Sequence, residues 1–135
     1  MKRIVFKVGS SVLTETTSIA KERMLHLVSL IAEARKKYEV ILVSSGAVAA
    51  GYTAVQLNRS IPTSKKVLAS VGQPILMSSY KNMFEIYGVT ISQILLTEED
   101  FDSRVHTRIF QDIIDRTFKN DILPIVNEND ISTTP

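Results

Sequence analysis

Two glycine–serine turns, each set directly behind a run of strand-forming residues, constrain this chain more than any other feature. Arg3-Ile4-Val5-Phe6 leads into Lys7-Val8-Gly9-Ser10-Ser11, and Val40-Ile41-Leu42 leads into Val43-Ser44-Ser45-Gly46-Ala47. Strand, small polar turn, helix is how open α/β sheets build anion sites. Such a turn exposes backbone N–H groups at a helix start, where the macrodipole favours negative charge. Two of them in one sheet, the first carrying Lys7, point to a phosphate and a second anion.

The rest of the chain alternates strand with helix. Strand signals cover Arg3 to Val8, Glu39 to Ser44, Thr90 to Leu96 and Ile122 to Val126. Met24, Leu27, Val28 and Ile31 recur at three- and four-residue spacing, which predicts a helix from Ile19 to Lys37. Thr17 or Ser18 can cap it, and Lys36 and Lys37 suit its negative end. A short helix follows from Ala47 to Gly51, and residues 52–62 read as a loop. The next helix starts at Thr63 or Ser64 and is interrupted at Gly72-Gln73-Pro74. Pro74 then fits the first turn of a further helix that ends near Tyr87, with Gly88 as its stop. A last helix covers Arg104 to Lys119, with Ile109, Phe110, Ile113, Ile114 and Thr117 facing inward.

Four strands separated by helices predict an α/β fold with a mostly parallel sheet between helical layers. Such sheets bind ligands at the carboxyl ends of their strands. Residues 7–11, 44–47 and 127–130 are polar turns at those ends.

Composition removes several alternatives. A net charge of +2, with only Lys36-Lys37 and Lys65-Lys66 as basic pairs, argues against a nucleic-acid partner. The chain has no cysteine, so a disulfide framework and a cysteine-ligated metal are excluded. No apolar run approaches the roughly 20 residues that span a membrane. A strand begins almost at Met1, with no apolar signal region, so the expected location is the cytoplasm. The 135 residues suit one ordinary domain.

Lys7 ends an apolar strand, where a buried ammonium needs an anion; the competing reading is an outward lysine paired with an acid. Gly9 lets backbone approach a phosphate, and Ser10 and Ser11 add hydroxyl and N–H donors. No glycine-lysine-serine/threonine closes this turn, and the later glycines of a dinucleotide fingerprint are absent. Ser44-Ser45-Gly46 lacks the glycine two residues ahead that a hydrolase nucleophile elbow needs. It reads instead as substrate binding at a helix start, or as a plain helix cap. Asn127-Glu128-Asn129-Asp130 can take an ammonium group, or is simply a polar turn. Glu98, Glu99 and Asp100 fit the start of the next helix better than a metal site. His26 and His106 lack a partner at metal spacing, so no residue is assigned to a metal. Tyr80, Met83, Phe84 and Tyr87 are spaced as core residues.

Taken together, Lys7 to Leu13, Val43 to Gly51 and Val126 to Asp130 resemble the amino acid kinase family. Val71-Gly72-Gln73, Ile86-Tyr87-Gly88 and Leu95-Leu96-Thr97 fit the same family in the same order, so the resemblance covers essentially the whole chain. The lysine-x-glycine-serine turn belongs to the wider family. The Ser-Gly-Ala-Val-Ala-Ala-Gly and Asn-Glu-Asn-Asp segments resemble its members that act on glutamate.

The resemblance implies a three-layer α-β-α sandwich and a reaction. ATP would give its γ-phosphoryl group to the side-chain carboxylate of L-glutamate, forming glutamyl 5-phosphate, the first step towards proline. It implies ATP and Mg2+, feedback inhibition by proline, and a homo-oligomer, dimer or tetramer. Lys7 would be catalytic and, with Gly9 and Ser10, would bind the ATP phosphates. Ser45 and Gly46 would hold glutamate, and Asn127 and Asp130 would take its ammonium end. The loop near residues 52–62 and Gln73 would border the glutamate pocket and sense proline. Residues 1–135 would form the amino-terminal, substrate-side portion of the kinase domain. The adenine site and the remaining catalytic groups would lie beyond Pro135, so this portion alone is expected not to turn over ATP. Two rival readings stand beside this one: a family member acting on aspartate, acetylglutamate or a nucleoside monophosphate, and a non-catalytic amino-acid-binding module.

Overall fold

The structure is a computed structural model, and residues 1–96 and 103–128 are described. The carboxylates Glu98, Glu99 and Asp100, and the turn residues Asn129 and Asp130, lie outside the described residues.

Four seven-residue strands form one sheet: β1 (Lys2–Val8), β4 (Tyr38–Ser44), β5 (Thr90–Leu96) and β6 (Ile122–Glu128). Every pairing is parallel, in the order β1-β4-β6-β5. Between β1 and β4 come α1 (Ser10–Leu13), a two-stranded hairpin of β2 (Thr14–Glu15) and β3 (Ser18–Ile19), and α2 (Lys21–Ala34). Next are α3 (Ala47–Ala54) and α4 (Pro62–Glu85), and α5 (Arg104–Lys119) joins β5 to β6.

β6 is central, and Leu123 to Asn127 are buried without a break. That is the burial a parallel strand covered on both faces requires. One face meets α2 and α4, where Met24, Val28, Ile31, Leu76, Tyr80 and Phe84 close over Val40, Leu42, Leu123 and Ile125. Each such side chain contributes roughly 1.5–3 kcal/mol on burial. α5 lies on the other face and buries Ile114 and Thr117. Arg3 ties that layer to the sheet: it pairs with Glu39 and Asp115 and sits 5.1 Å over the Phe118 ring.

The four strands, the parallel sheet and the Arg104–Lys119 helix agree with the pattern of the chain. Five local expectations do not. Gly72-Gln73-Pro74 does not interrupt the fourth helix, which is continuous for 24 residues with Pro74 inside it. Pro74 and Ser70 both lie on the exposed face, so water can take the carbonyl that the missing N–H leaves. Neither Thr17 nor Ser18 caps α2: Ser18 is drawn into the hairpin opposite Glu15, and Ala20 is the cap position. α2 stops at Ala34, so Lys36 and Lys37 lie past its end, and Lys36 pairs with Glu33. Ile109 and Ile113 face outward, 51% and 46% exposed, because the inner stripe of α5 runs through Phe110, Ile114 and Thr117. The helix after Ser44 also extends three residues further than expected, to Ala54.

Candidate functional site

The parallel register brings the strand ends together. Val8 pairs with Ser44, and Val43 with Val126, so Ser44 and Asn127 come one step later on the same rim. The two glycine–serine turns meet there. Ser45 donates its backbone N–H and its hydroxyl to the Val8 carbonyl, at 3.1 and 3.2 Å. Gly46 has φ +106°, a backbone that side chains rarely adopt. A Cβ there would come within 3.4 Å of Ser10 Cα and 3.5 Å of Leu13. The second turn therefore rests directly on the first.

Gly46 occupies the cap position of α3 and makes no side-chain cap, which removes the plain helix-cap reading of Ser44 and Ser45. Ser44 is instead an anchor: its hydroxyl lies 2.8 Å from the Tyr80 hydroxyl, and both residues are buried. Burial pushes the Tyr80 phenol up to about 12, and the bond to Ser44 offsets part of that rise. Sequence spacing identifies Tyr80 as core but gives no sign of this bond, since a polar tip on an apolar stripe looks like any other core tyrosine.

Lys7 stands on the outward face of β1 and is exposed. It is not the buried ammonium that its place on an apolar strand suggests, because β1 is a sheet edge. Neither is it paired with an acid among the described residues. Gly9 has an ordinary extended backbone, φ −86° and ψ 169°. A Cβ added to it would meet nothing within 4 Å, so an open space faces this glycine. Ser10 begins α1, a helix of four residues, which contributes free N–H groups rather than a macrodipole.

The third turn is anchored from α4. Asn127 is 3% exposed, and its Nδ2 donates to Gln73 Oε1 at 3.0 Å. α4 reaches that position because it presses against α3 without side chains between them. A Cβ on Gly72 would sit 1.7 Å from the Ala47 carbonyl oxygen, and one on Gly51 1.9 Å from that of Leu68. Beside the first turn a cavity of about 570 Å³ is lined by Ser10, Ser11, Tyr52, Asn58 and Arg59. The Arg59 guanidinium lies 4.0 Å over the Tyr52 ring, within this lining. Sequence pattern alone misses Arg59 and Tyr52, for they belong to a stretch without periodicity.

Lys7, Gly9, Ser10, Ser45, Gly46 and Asn127 thus gather on one rim of the sheet, while Asp130 lies outside the described residues. The sequence profile of the amino acid kinase family matches residues 2–135. The chain belongs to the amino acid kinase family. Among proteins of this family, the glutamate 5-kinase of Helicobacter hepaticus is 44% identical over 132 residues, which is 98% of this chain and 50% of that protein. The glutamate 5-kinase of Leishmania donovani is 45% identical over 130 residues, 96% of this chain and 49% of that protein. The chain therefore spans about half the length of the curated relatives it matches. The UMP kinase of Ureaplasma parvum is similar in fold, with a TM-score of 0.58 at 16% identity over 93% of this chain and 55% of that one. Among the described residues no helix is long and apolar enough to cross a membrane, and no three His, Asp or Glu side chains cluster as a metal site.

Proposed function

We propose that this chain is the substrate-side portion of a glutamate 5-kinase domain. Its reaction moves the γ-phosphoryl group of ATP to the side-chain carboxylate of L-glutamate. The observation that carries the reading is the fusion of the two turns: Ser45 latched on Val8, and Gly46 resting on Ser10. A phosphate-type turn and an acceptor-type turn held in contact are what a direct transfer between two anions requires. The names of relatives more than 40% identical support the same acceptor.

The chemistry suits this rim. A carboxylate is already deprotonated at neutral pH, so its oxygen attacks the γ-phosphorus without a base. One P–O bond forms to the acceptor, the P–O bond to the β-phosphate bridge breaks, and ADP leaves with the electron pair. Catalysis of such a step is mainly positioning and charge stabilisation. Lys7 supplies an ammonium with no competing acid among the described residues, and the open face of Gly9 gives the phosphoryl group room. Ser45 and Gly46 bind the acceptor, and Asn127 and Asp130 take its ammonium group. Mg2+ bound together with ATP would supply positive charge to offset that of the phosphates, and no residue of this portion is assigned to hold it. Proline acts as a feedback inhibitor, the protein works as a homo-oligomer in the cytoplasm, and the nucleotide-side groups belong to the other half of the domain.

The test is a hydroxamate assay on the full-length protein with glutamate, aspartate and acetylglutamate as acceptors. Glutamate alone should give product. In that assay Lys7→Ala should lower kcat about 10²–10³-fold, the loss typical of one preorganised charge-stabilising donor. It should leave the melting temperature unchanged, because Lys7 is exposed. Product from aspartate but not glutamate would overturn the assignment.

A further inference from the structure

Arg23 stands in the first turn of α2, where a cation works against the helix dipole. Its compensation comes from outside that helix. Nε donates to the Val12 carbonyl at 3.2 Å, and Nη2 donates to the carbonyls of Ser11 and Thr14 at 3.3 and 3.2 Å. Nη1 lies 3.6 Å from Glu15 Oε1. One guanidinium thus gathers three backbone carbonyls and a carboxylate between Ser11 and Glu15.

The tie matters because α1 has little else to hold it. A single helical turn fixes more backbone than its own bonds repay, and of its four residues only Leu13 is buried. The Ser11 and Val12 carbonyls belong to its last turn, where a helix has no partner of its own to offer. The other carbonyls nearby are met locally: Ser10 accepts from the Thr14 hydroxyl at 3.0 Å, and Leu13 from the Ala20 N–H at 2.9 Å. Gly46 lies against Ser10, and Ser10, Ser11, Thr14 and Glu15 line the cavity beside the turn. Arg23 is not part of that lining; it holds residues that are. It does so from a helix whose next residue, Met24, is fully buried in the core.

We infer that Arg23 is a positioning residue for phosphoryl transfer: its planar fork holds the Ser11, Val12 and Thr14 carbonyls and so fixes where the Gly9–Ser10 turn stands against Gly46. Lysine is no substitute, since an ammonium is a point charge without the fork. The inference rests on the proposed function, which places the phosphates at Gly9 and Ser10. Arg23 acts through that turn.

The test measures glutamate-dependent ADP release and amide hydrogen exchange on the full-length protein. Arg23→Lys keeps the charge and loses the fork. It should lower kcat at least about tenfold, because small misplacements of reacting groups are costly. The glutamate KM and the melting temperature should stay at wild-type values, since the guanidinium is half-exposed and the carbonyls it leaves can turn to water. Without ligands, amide exchange should quicken over Ser10–Thr14 and stay unchanged in the rest of α2. Arg23→Ala should match Arg23→Lys in both readouts. Wild-type kcat in Arg23→Lys would assign Arg23 to charge alone and overturn the inference, leaving the kinase reading intact. A fall in kcat with no change in exchange would overturn it as well. A wild-type protein that releases no ADP with glutamate would overturn the kinase reading and, with it, the inference. If Arg23→Ala fails to fold, Arg23→Gln replaces it.

Discussion

Ser45 holds Val8 with two donors at once, its N–H at 3.1 Å and its hydroxyl at 3.2 Å on the same carbonyl oxygen. The hydroxyl proton is spent on this latch, so toward a ligand the Ser45 oxygen offers lone pairs. Donors for an acceptor carboxylate must then come from the backbone N–H groups that follow at the start of α3. The register of two parallel strands, Val8 opposite Ser44, puts the latch one residue beyond the end of the ladder.

Ser45→Ala removes one of the two donors and keeps the other. The expected loss in unfolding free energy is about 1 kcal/mol, the net worth of one hydrogen bond. The glutamate KM should rise while the ATP KM stays put. Urea unfolding and steady-state kinetics of the full-length protein check the two halves. An equal rise in both KM values would mean that the latch supports the whole rim instead of the acceptor side.

Gly9→Ala separates room from strain. The backbone at Gly9 is one that alanine adopts freely, and the added methyl would touch nothing. Stability should therefore be unchanged or should rise by about 0.4–1 kcal/mol, as less flexible residues do at compatible positions. Phosphoryl transfer should fall at least about tenfold, because the methyl fills the space proposed for phosphate. Thermal melts beside kcat measurements read both effects, and full activity in Gly9→Ala would remove Gly9 from the phosphate site.

Gly46→Ala should behave in the opposite way. Its positive φ costs an alanine about 1–2 kcal/mol, while the Cβ itself would make only ordinary contacts with Ser10 and Leu13. Destabilisation of that size, seen as a lower urea midpoint at constant slope, is the expected outcome. Activity should fall with it, since the backbone strain lies where the second turn enters α3.

Tyr80 sets an alkaline limit. Its phenol ionises near 10 in the unfolded chain and at about 12 in the fold, with burial the main cause. Its contribution to stability is complete below pH 10. It is lost as the pH climbs towards 12, at roughly 1.4 kcal/mol per pH unit, because the unfolded state gives up its proton first. Urea midpoints measured from pH 9 to 11 should fall in the wild type and fall less steeply in Tyr80→Phe. Parallel slopes would mean that other tyrosines dominate.

How much of this was legible depended on whether a signal was local. β5 and α5 could be bounded closely, because Thr90–Leu96 is a short β-branched and apolar-rich run behind Gly88 and Arg104–Lys119 carries a periodic stripe. Pro74 misled, since a proline on the exposed side of a long helix is tolerated and sidedness is a tertiary property. The outward turn of Ile109 and Ile113 is similar: apolar residues at helical spacing do not declare which of two neighbouring stripes meets the sheet. At the site, the turns themselves were visible as short motifs. The Ser45–Val8 latch, the Tyr80–Ser44 bond and the Gln73–Asn127 clamp link residues 36 to 54 positions apart and had no local mark.

α4 spans about 36 Å without a break, and three of its residues grip the rim or its foundations: Gly72 on Ala47, Gln73 on Asn127, Tyr80 on Ser44. One stiff beam thus bears two of the three turns. Neither can swing by itself, so closure around an amino acid has to come from lighter parts such as the β2–β3 hairpin or the stretch holding Arg59. Evolution of a new acceptor preference would meet the same constraint: loops beside the beam are free to vary, whereas moving the beam means rebuilding the core.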